Sequence, residues 1–227
     1  MTLDAAAARR WLELLGDELS ARADELTRLD AAIGDADHGT NMARGFRAVR
    51  EKALAQDHAD VSALLKATGM ALIGTVGGAA GPLYGTLFLR MSQATAGRDG
   101  GLELAAVRDA LRAGVQGVAD RGKAQPGDKT MLDALLPAMD ALDAAVEAGA
   151  PADGALREAA GAAQRGAEAT IPLQARKGRA SYLGQRSIGH QDPGATSSAI
   201  LLRTLAEALA VRFPPPVGEG QGGGTSG

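Results

Sequence analysis

The chain contains no cysteine, which excludes disulfides, zinc–thiolate centres and cysteine nucleophiles. Aromatic residues are only 3% of its 227 residues: three Phe, two Tyr and one Trp. β-Branched and aromatic residues are what a sheet packs, so their scarcity speaks against one. No stretch approaches the ~18 apolar residues that a membrane-spanning helix needs. The segment Met1–Leu15 carries Asp4, Arg9, Arg10 and Glu13 where a secretory signal has an uncharged apolar run. A cytoplasmic protein with no membrane contact is expected. A strong charge of one sign is missing too: 24 Lys and Arg stand against 27 Asp and Glu, a net charge of -3. That argues against a broad basic face, and no nucleic-acid partner is expected.

Alanine and glycine are what the chain has instead. It has 49 alanines, the best helix former, and 31 glycines, roughly twice the usual share of about 7%. An all-α fold is expected. Apolar residues recur at helical spacing through most of the sequence. Trp11, Leu15, Leu19, Leu26 and Leu29 mark a first helix that stops near Asp30, and Met42, Phe46 and Val49 mark a second after His38. A third starts near Asp60, a fourth takes Pro82 in its first turn, and a fifth starts near Leu102. Asp128 and Thr130 are candidate caps for a sixth, which Pro137 should kink. Pro151 opens a seventh reaching roughly Arg176, and an eighth begins at Pro193. The sequence 214–227, PPPVGEGQGGGTSG, has nothing to bury and is expected to be disordered, leaving 1–213 as one helical domain.

The unusual residues collect in four connectors. The first, LDAAIGDADHGTNM, brings Asp30, Asp35 and Asp37 within eight positions, with Gly34 and Gly39 beside them. Three carboxylates this close repel one another unless a cation sits among them, and oxygen-only ligands suit a hard ion. Phe46 stands where a calcium loop would have its glutamate, so magnesium shared with phosphate oxygens fits better. The bland alternative makes Asp37 an N-cap and leaves the other two as solvated turn residues. The second connector, GTVGGAAGPLYG, has five glycines in twelve residues and precedes a helix. It suits either a phosphate cradle of backbone amides or close helix packing. The third, RGKAQPGDKTM, is an anion-friendly turn in which Lys123 and Lys129 read as solvated charges. The fourth, ARKGRASYLGQRSIGHQDPGATSS, clusters Arg176, Lys177, Arg179 and Arg186, and Arg donates to phosphate in pairs. His38 and His190 lie in two of these connectors, where a histidine touches a nucleotide, moves a proton or satisfies a turn. The four connectors alternate along the chain, so in an up–down array of helices they share one rim. Phosphoryl chemistry there would rest on positioning and charge neutralisation.

The segments IGDADHGTNM, GGAAGPLYGTLF, GDKTMLDAL and KGRASYLGQRSIGHQDPGATSS resemble the nucleotide-binding L subunit of dihydroxyacetone kinase, itself similar to the C-terminal domain of the single-chain, ATP-dependent kinases. The similarity runs from about residue 5 to residue 212. It implies a closed antiparallel barrel of eight amphipathic helices with the nucleotide at one rim, and magnesium held by Asp30, Asp35 and Asp37. Around ADP or ATP it implies His38, Gly39, Thr40 and Asn41, then Gly78, Ala79 and Ala80, then Gly122 and Met131, and finally Arg179, Asp192 and Gly194. The family commonly has Ser or Thr at the place of Ala80, so a hydroxyl contact is missing there while the backbone amide remains. The resemblance also implies a phosphotransferase active only with partners: a K subunit that binds dihydroxyacetone, and an M-type subunit whose phosphohistidine recharges the bound ADP. No residue of this chain then needs to be phosphorylated, and Arg179 and His38 position the phosphoryl group. The absence of a fused K domain favours this version. An ATP-exchanging kinase subunit, a kinase for another acceptor and a nucleotide-binding regulatory or adaptor protein stand as alternatives, and assembly as a homodimer is left open.

Overall fold

Alanine-rich stretches with apolar residues three and four apart form helices, and in the described residues regular structure is helical apart from one backbone bridge. The computed structural model describes residues 2–98 and 100–210. The 214–227 tail and the end of the expected domain at 213 lie outside the described residues. Nine α-helices are described: α1 (Ala5–Ala21), α2 (Ala23–Ile33), α3 (His38–Val49), α4 (Val61–Thr75), α5 (Ala80–Thr95), α6 (Leu104–Gly122), α7 (Leu132–Glu147), α8 (Ala152–Ala169) and α9 (Pro193–Ala210). A π-helical turn, Arg50–Leu54, extends α3, and a 3-10 segment, Arg179–Ser187, lies between α8 and α9. None of these helices is long and apolar enough to cross a membrane.

Several boundaries differ from the sequence expectation. The first helix is two, broken at Arg22, whose guanidinium turns back onto both carboxylate oxygens of Glu25 at 2.7 Å. The fifth begins at Leu104 because Leu102 is pulled out of helical geometry to pair its backbone with Leu3 at 2.9 and 3.0 Å. The seventh ends at Ala169, and residues 170–176 turn away from it. Asp60 caps α4 by accepting from Ala63 N at 2.7 Å. Asp128 does not cap the helix that follows. Its side chain accepts from Gln125 N, while Asp133 takes the amides of Gly127 and Thr130, and Thr130 Oγ1 accepts from Leu132 N. Pro137 sits inside α7, whose helical run continues across it.

Each helix from α3 to α9 packs on the next, α9 packs on α1, and α1 packs on α3. Three of the aromatics pack together in the core: Trp11 and Phe46 both meet Phe88, with ring centroids 5.7 and 6.4 Å apart, and Trp11 Nε1 donates to Leu201 O. Burying each such side chain contributes about 1.5–3 kcal/mol. Small residues set the distance between helices. A Cβ added at Gly166 of α8 would lie 2.2 Å from Asp133 O, and one added at Gly85 of α5 would lie 2.3 Å from Ile73 Cγ1. Large side chains there would push the helices apart.

Candidate functional site

The α2–α3 connection is organised by Asp30, in the last turn of α2 and only 8% exposed. Its Oδ2 accepts from the backbone N–H groups of Asp37 and His38 at 2.9 and 3.1 Å, so Asp30 supplies the cap at the start of α3. Asp37 occupies the N-cap position but makes no capping bond with its side chain. The bland reading, Asp37 as an ordinary cap, is therefore not what the structure has. Asp30, Asp35 and Asp37 each offer one carboxylate oxygen, and these oxygens lie within 4.8 Å of one another. Oxygen donors at this spacing, with Asp37 uncommitted, fit a hard divalent cation.

Arg179 of the fourth connector reaches Asp35, Nε to Oδ2, at 3.0 Å. The two connectors farthest apart in the sequence thus meet at the carboxylates. A cavity of about 460 Å³ opens beside them and is lined from all four connectors. Asp30, Asp35, Asp37, His38 and Asn41 come from the first, Gly78, Ala79 and Ala80 from the second. Gly122 and Met131 come from the third, Arg179, Asp192 and Gly194 from the fourth. Two residues of the expected set stand apart. Gly39 is buried with its Cα against α2, where a Cβ would lie 1.9 Å from Ala23 O, and Thr40 is exposed; neither lines the cavity. His190 is exposed and also outside the lining.

The glycine-rich stretch divides into two roles. Gly74 closes α4, and Gly81 and Gly85 lie in α5, packed against Val76 and Ile73. Only Gly77 and Gly78 form the connector. Gly78 has φ +63° with open space around it, and α5 begins beyond it without a side-chain cap. The first amides of α5 are therefore left for a ligand on the cavity side.

Three residues escaped the sequence reading. Tyr84 is buried, and its hydroxyl meets Ser197 Oγ at 2.7 Å and Ser198 Oγ at 3.2 Å. Ser197 in turn meets His38 Nε2 at 2.9 Å. Burial pushes the Tyr84 hydroxyl up to about 12, so it stays a neutral hydrogen-bonding group. Burial also lowers His38, against the pull of Asp30 and Asp37, which favours a neutral ring. The third is Lys129, expected as a solvated charge and in fact 1% exposed, its ammonium turned onto the backbone carbonyls of Leu173 and Ser187 between α8 and α9. No signal in one sequence separates such a lysine from Lys123, its exposed neighbour. Asp192 is also buried. Its Oδ2 accepts from Ala195 N at 2.7 Å, and desolvation raises its carboxyl to about 7.

Fold and site together define a class: an all-α domain in which clustered carboxylates, uncapped helix amides and an arginine face one cavity, a chemistry suited to a cation and a phosphate chain. Comparison with known proteins makes this specific. The model of the DAK2 domain family matches residues 32–207, and the chain belongs to that family. The ADP-binding subunit DhaL of the PEP-dependent dihydroxyacetone kinase of Escherichia coli (strain K12) is 49% identical over 208 residues, covering 92% of this chain and 99% of that protein. The L-erythrulose 1-kinase of Mycolicibacterium smegmatis is 41% identical over 189 residues, which is 82% of this chain and 32% of that protein. The crystal structure of the dihydroxyacetone kinase from C. freundii in complex with AMP-PNP and Mg2+ superposes with a TM-score of 0.66 at 28% identity, covering 92% of this chain and 35% of that one. The chain thus spans about a third of those longer kinases and nearly all of the separate subunit.

Proposed function

We propose that this chain is the ADP- and magnesium-binding subunit of a dihydroxyacetone kinase. It relays a phosphoryl group from a phosphohistidine-bearing partner of the phosphotransferase system, through bound ADP/ATP, to dihydroxyacetone held on a separate K subunit. The observation that carries this reading is the convergence of Asp30, Asp35 and Asp37 with Gly78, Ala79 and Arg179 on one cavity, in a chain that matches a DhaL subunit along 99% of its length. A closed antiparallel barrel of eight helices, with α1 and α2 counted as one stave, accords with the packing of α9 on α1 and of α1 on α3. A cytoplasmic location follows from the same reading.

Each part of the rim has a task. Asp30, Asp35 and Asp37 hold the cation, and its bound charge offsets that of a polyphosphate. Asp30 is held in place by two amides, so one of the three ligands is positioned by the backbone itself. The amides opening α5, beyond Gly78, receive phosphate oxygens, and Ala80 contributes its N–H without a hydroxyl. Arg179 meets Asp35 through Nε, which sets its guanidinium beside the carboxylates as a donor to the transferred group. His38, fixed by Ser197, orients the same end of the nucleotide. Gly122, Met131, Asp192 and Gly194 enclose the remainder.

The similarity to one third of an erythrulose kinase favours a second reading, a subunit that exchanges ATP freely with solution. Native mass spectrometry of the purified chain separates the two. Retained ADP that survives desalting, and becomes ATP on adding the phosphorylated partner, is the expected result. A site that arrives empty and fills only with added ATP supports the exchanging version.

A further inference from the structure

The fourth connector forms an arm closed at its base. Gly189 N donates to Ile171 O at 2.8 Å, Ala175 N donates to Ser187 Oγ at 2.9 Å, and between these points the chain runs out through Arg179 to the carboxylates. Lys129 of the third connector enters this base. Its Nζ donates to Ser187 O at 2.6 Å, to Leu173 O at 3.0 Å and to Ile171 O at 3.5 Å. An ammonium has three donors, and here all three go to the two strands of the arm's base, leaving none for a phosphate. The backbone of the third connector is bonded to the arm as well, Arg176 N to Asp128 O at 3.0 Å. Lys129 holds φ +63°, a left-handed conformation that strains a residue with a side chain and is kept only where its surroundings demand it. Burial disfavours the charge, with Asp192 as the opposing influence, so the carbonyl cage and that carboxylate are what retain it.

We infer that Lys129 is a positioning residue: it clamps the base of the arginine-bearing arm to the third connector and so fixes where Arg179 meets the carboxylates. Its side chain borders the cavity, but its ammonium is spent on the arm's carbonyls, so it acts through the arm. Its consequence for nucleotide binding rests on the function proposed above; the anchoring of the arm does not.

Lys129→Met keeps the length of the side chain and removes the three donors. Two readouts follow, tryptic cleavage of the nucleotide-free chain and equilibrium binding of Mg·ADP. The expected result is cleavage after Lys177 and Arg179 at least tenfold faster than in the wild type, with sites on the helices unchanged. Mg·ADP should bind at least tenfold more weakly, and adding Arg179→Ala should cost less than the product of the two single effects, because both act through one group. Arm cleavage at the wild-type rate, or losses that multiply, overturns the inference. A wild-type chain that does not bind Mg·ADP refutes the proposed function, and the cleavage rates still decide this one. If Lys129→Met does not fold, 15N NMR of the wild-type ammonium decides. Protons of Lys129 Nζ exchanging with water far more slowly than those of the exposed Lys177 support the clamp, and equal rates overturn it.

Discussion

Asp192 shows how much one buried side chain weighs on this molecule. Its carboxyl sits at about 7 rather than 3.8, chiefly because burial penalises the anion. Between those values the folded chain binds one proton more than the unfolded chain, so stability falls as pH rises through this window. Above about pH 7 the full cost is present, on the order of 4 kcal/mol. Asp192→Asn keeps an oxygen for Ala195 N and cannot ionise. Urea unfolding of the nucleotide-free variant should lose most of the wild-type decline between pH 5 and pH 8 and show the higher midpoint at pH 8. An unchanged pH slope would mean that this carboxyl is not desolvated. The acidic cluster was legible in the sequence because its three members lie within eight positions of one another, and short connectors bring sequence neighbours together. Lys129 was not legible, because its partners are carbonyls more than forty positions away and carbonyls carry no sequence signature.

Helix by helix, periodicity located the elements and mistook some of their ends. Arg22 breaks the first helix without glycine or proline, beside a local pairing with Glu25, whereas the long-range Leu3–Leu102 bridge delays α6. The glycine-rich stretch held both of the readings it was given. Gly78 serves the connector, whereas Gly85 serves the seam between α4 and α5. Two substitutions within that one stretch should therefore differ in effect. Gly85→Ala places a Cβ 2.3 Å from Ile73 Cγ1 and 3.0 Å from Gly69 O, and should destabilise by about 1–3 kcal/mol. Gly74→Ala, at a helical position with nothing within 4 Å, should be neutral or stabilise by up to about 1 kcal/mol. Thermal unfolding of the two variants checks this, and equal losses would place Gly74 in the packing as well.

Across the whole molecule, the position of the site follows from the parity of the connectors. Connectors that alternate along an up–down array of helices emerge at the same end, and the cavity is lined from all four of them. That arrangement builds a polar rim on an apolar helical domain: helices supply rigidity, and connectors supply chemistry. Parity could not tell which residues of each connector face inward. Gly39 and Thr40 follow His38 directly, yet one packs on α2 and the other meets solvent. The claim on which the proposed function depends is that the clustered carboxylates bind nucleotide through a shared divalent cation. Calorimetric titration of ADP into the nucleotide-stripped chain, with and without magnesium and with Asp37→Asn alongside, tests it most directly. Tight binding should need both magnesium and Asp37, falling at least a hundredfold when either is removed while the helical circular dichroism stays the same. Equal ADP affinity with and without magnesium, or an Asp37→Asn chain that binds like the wild type, would contradict it.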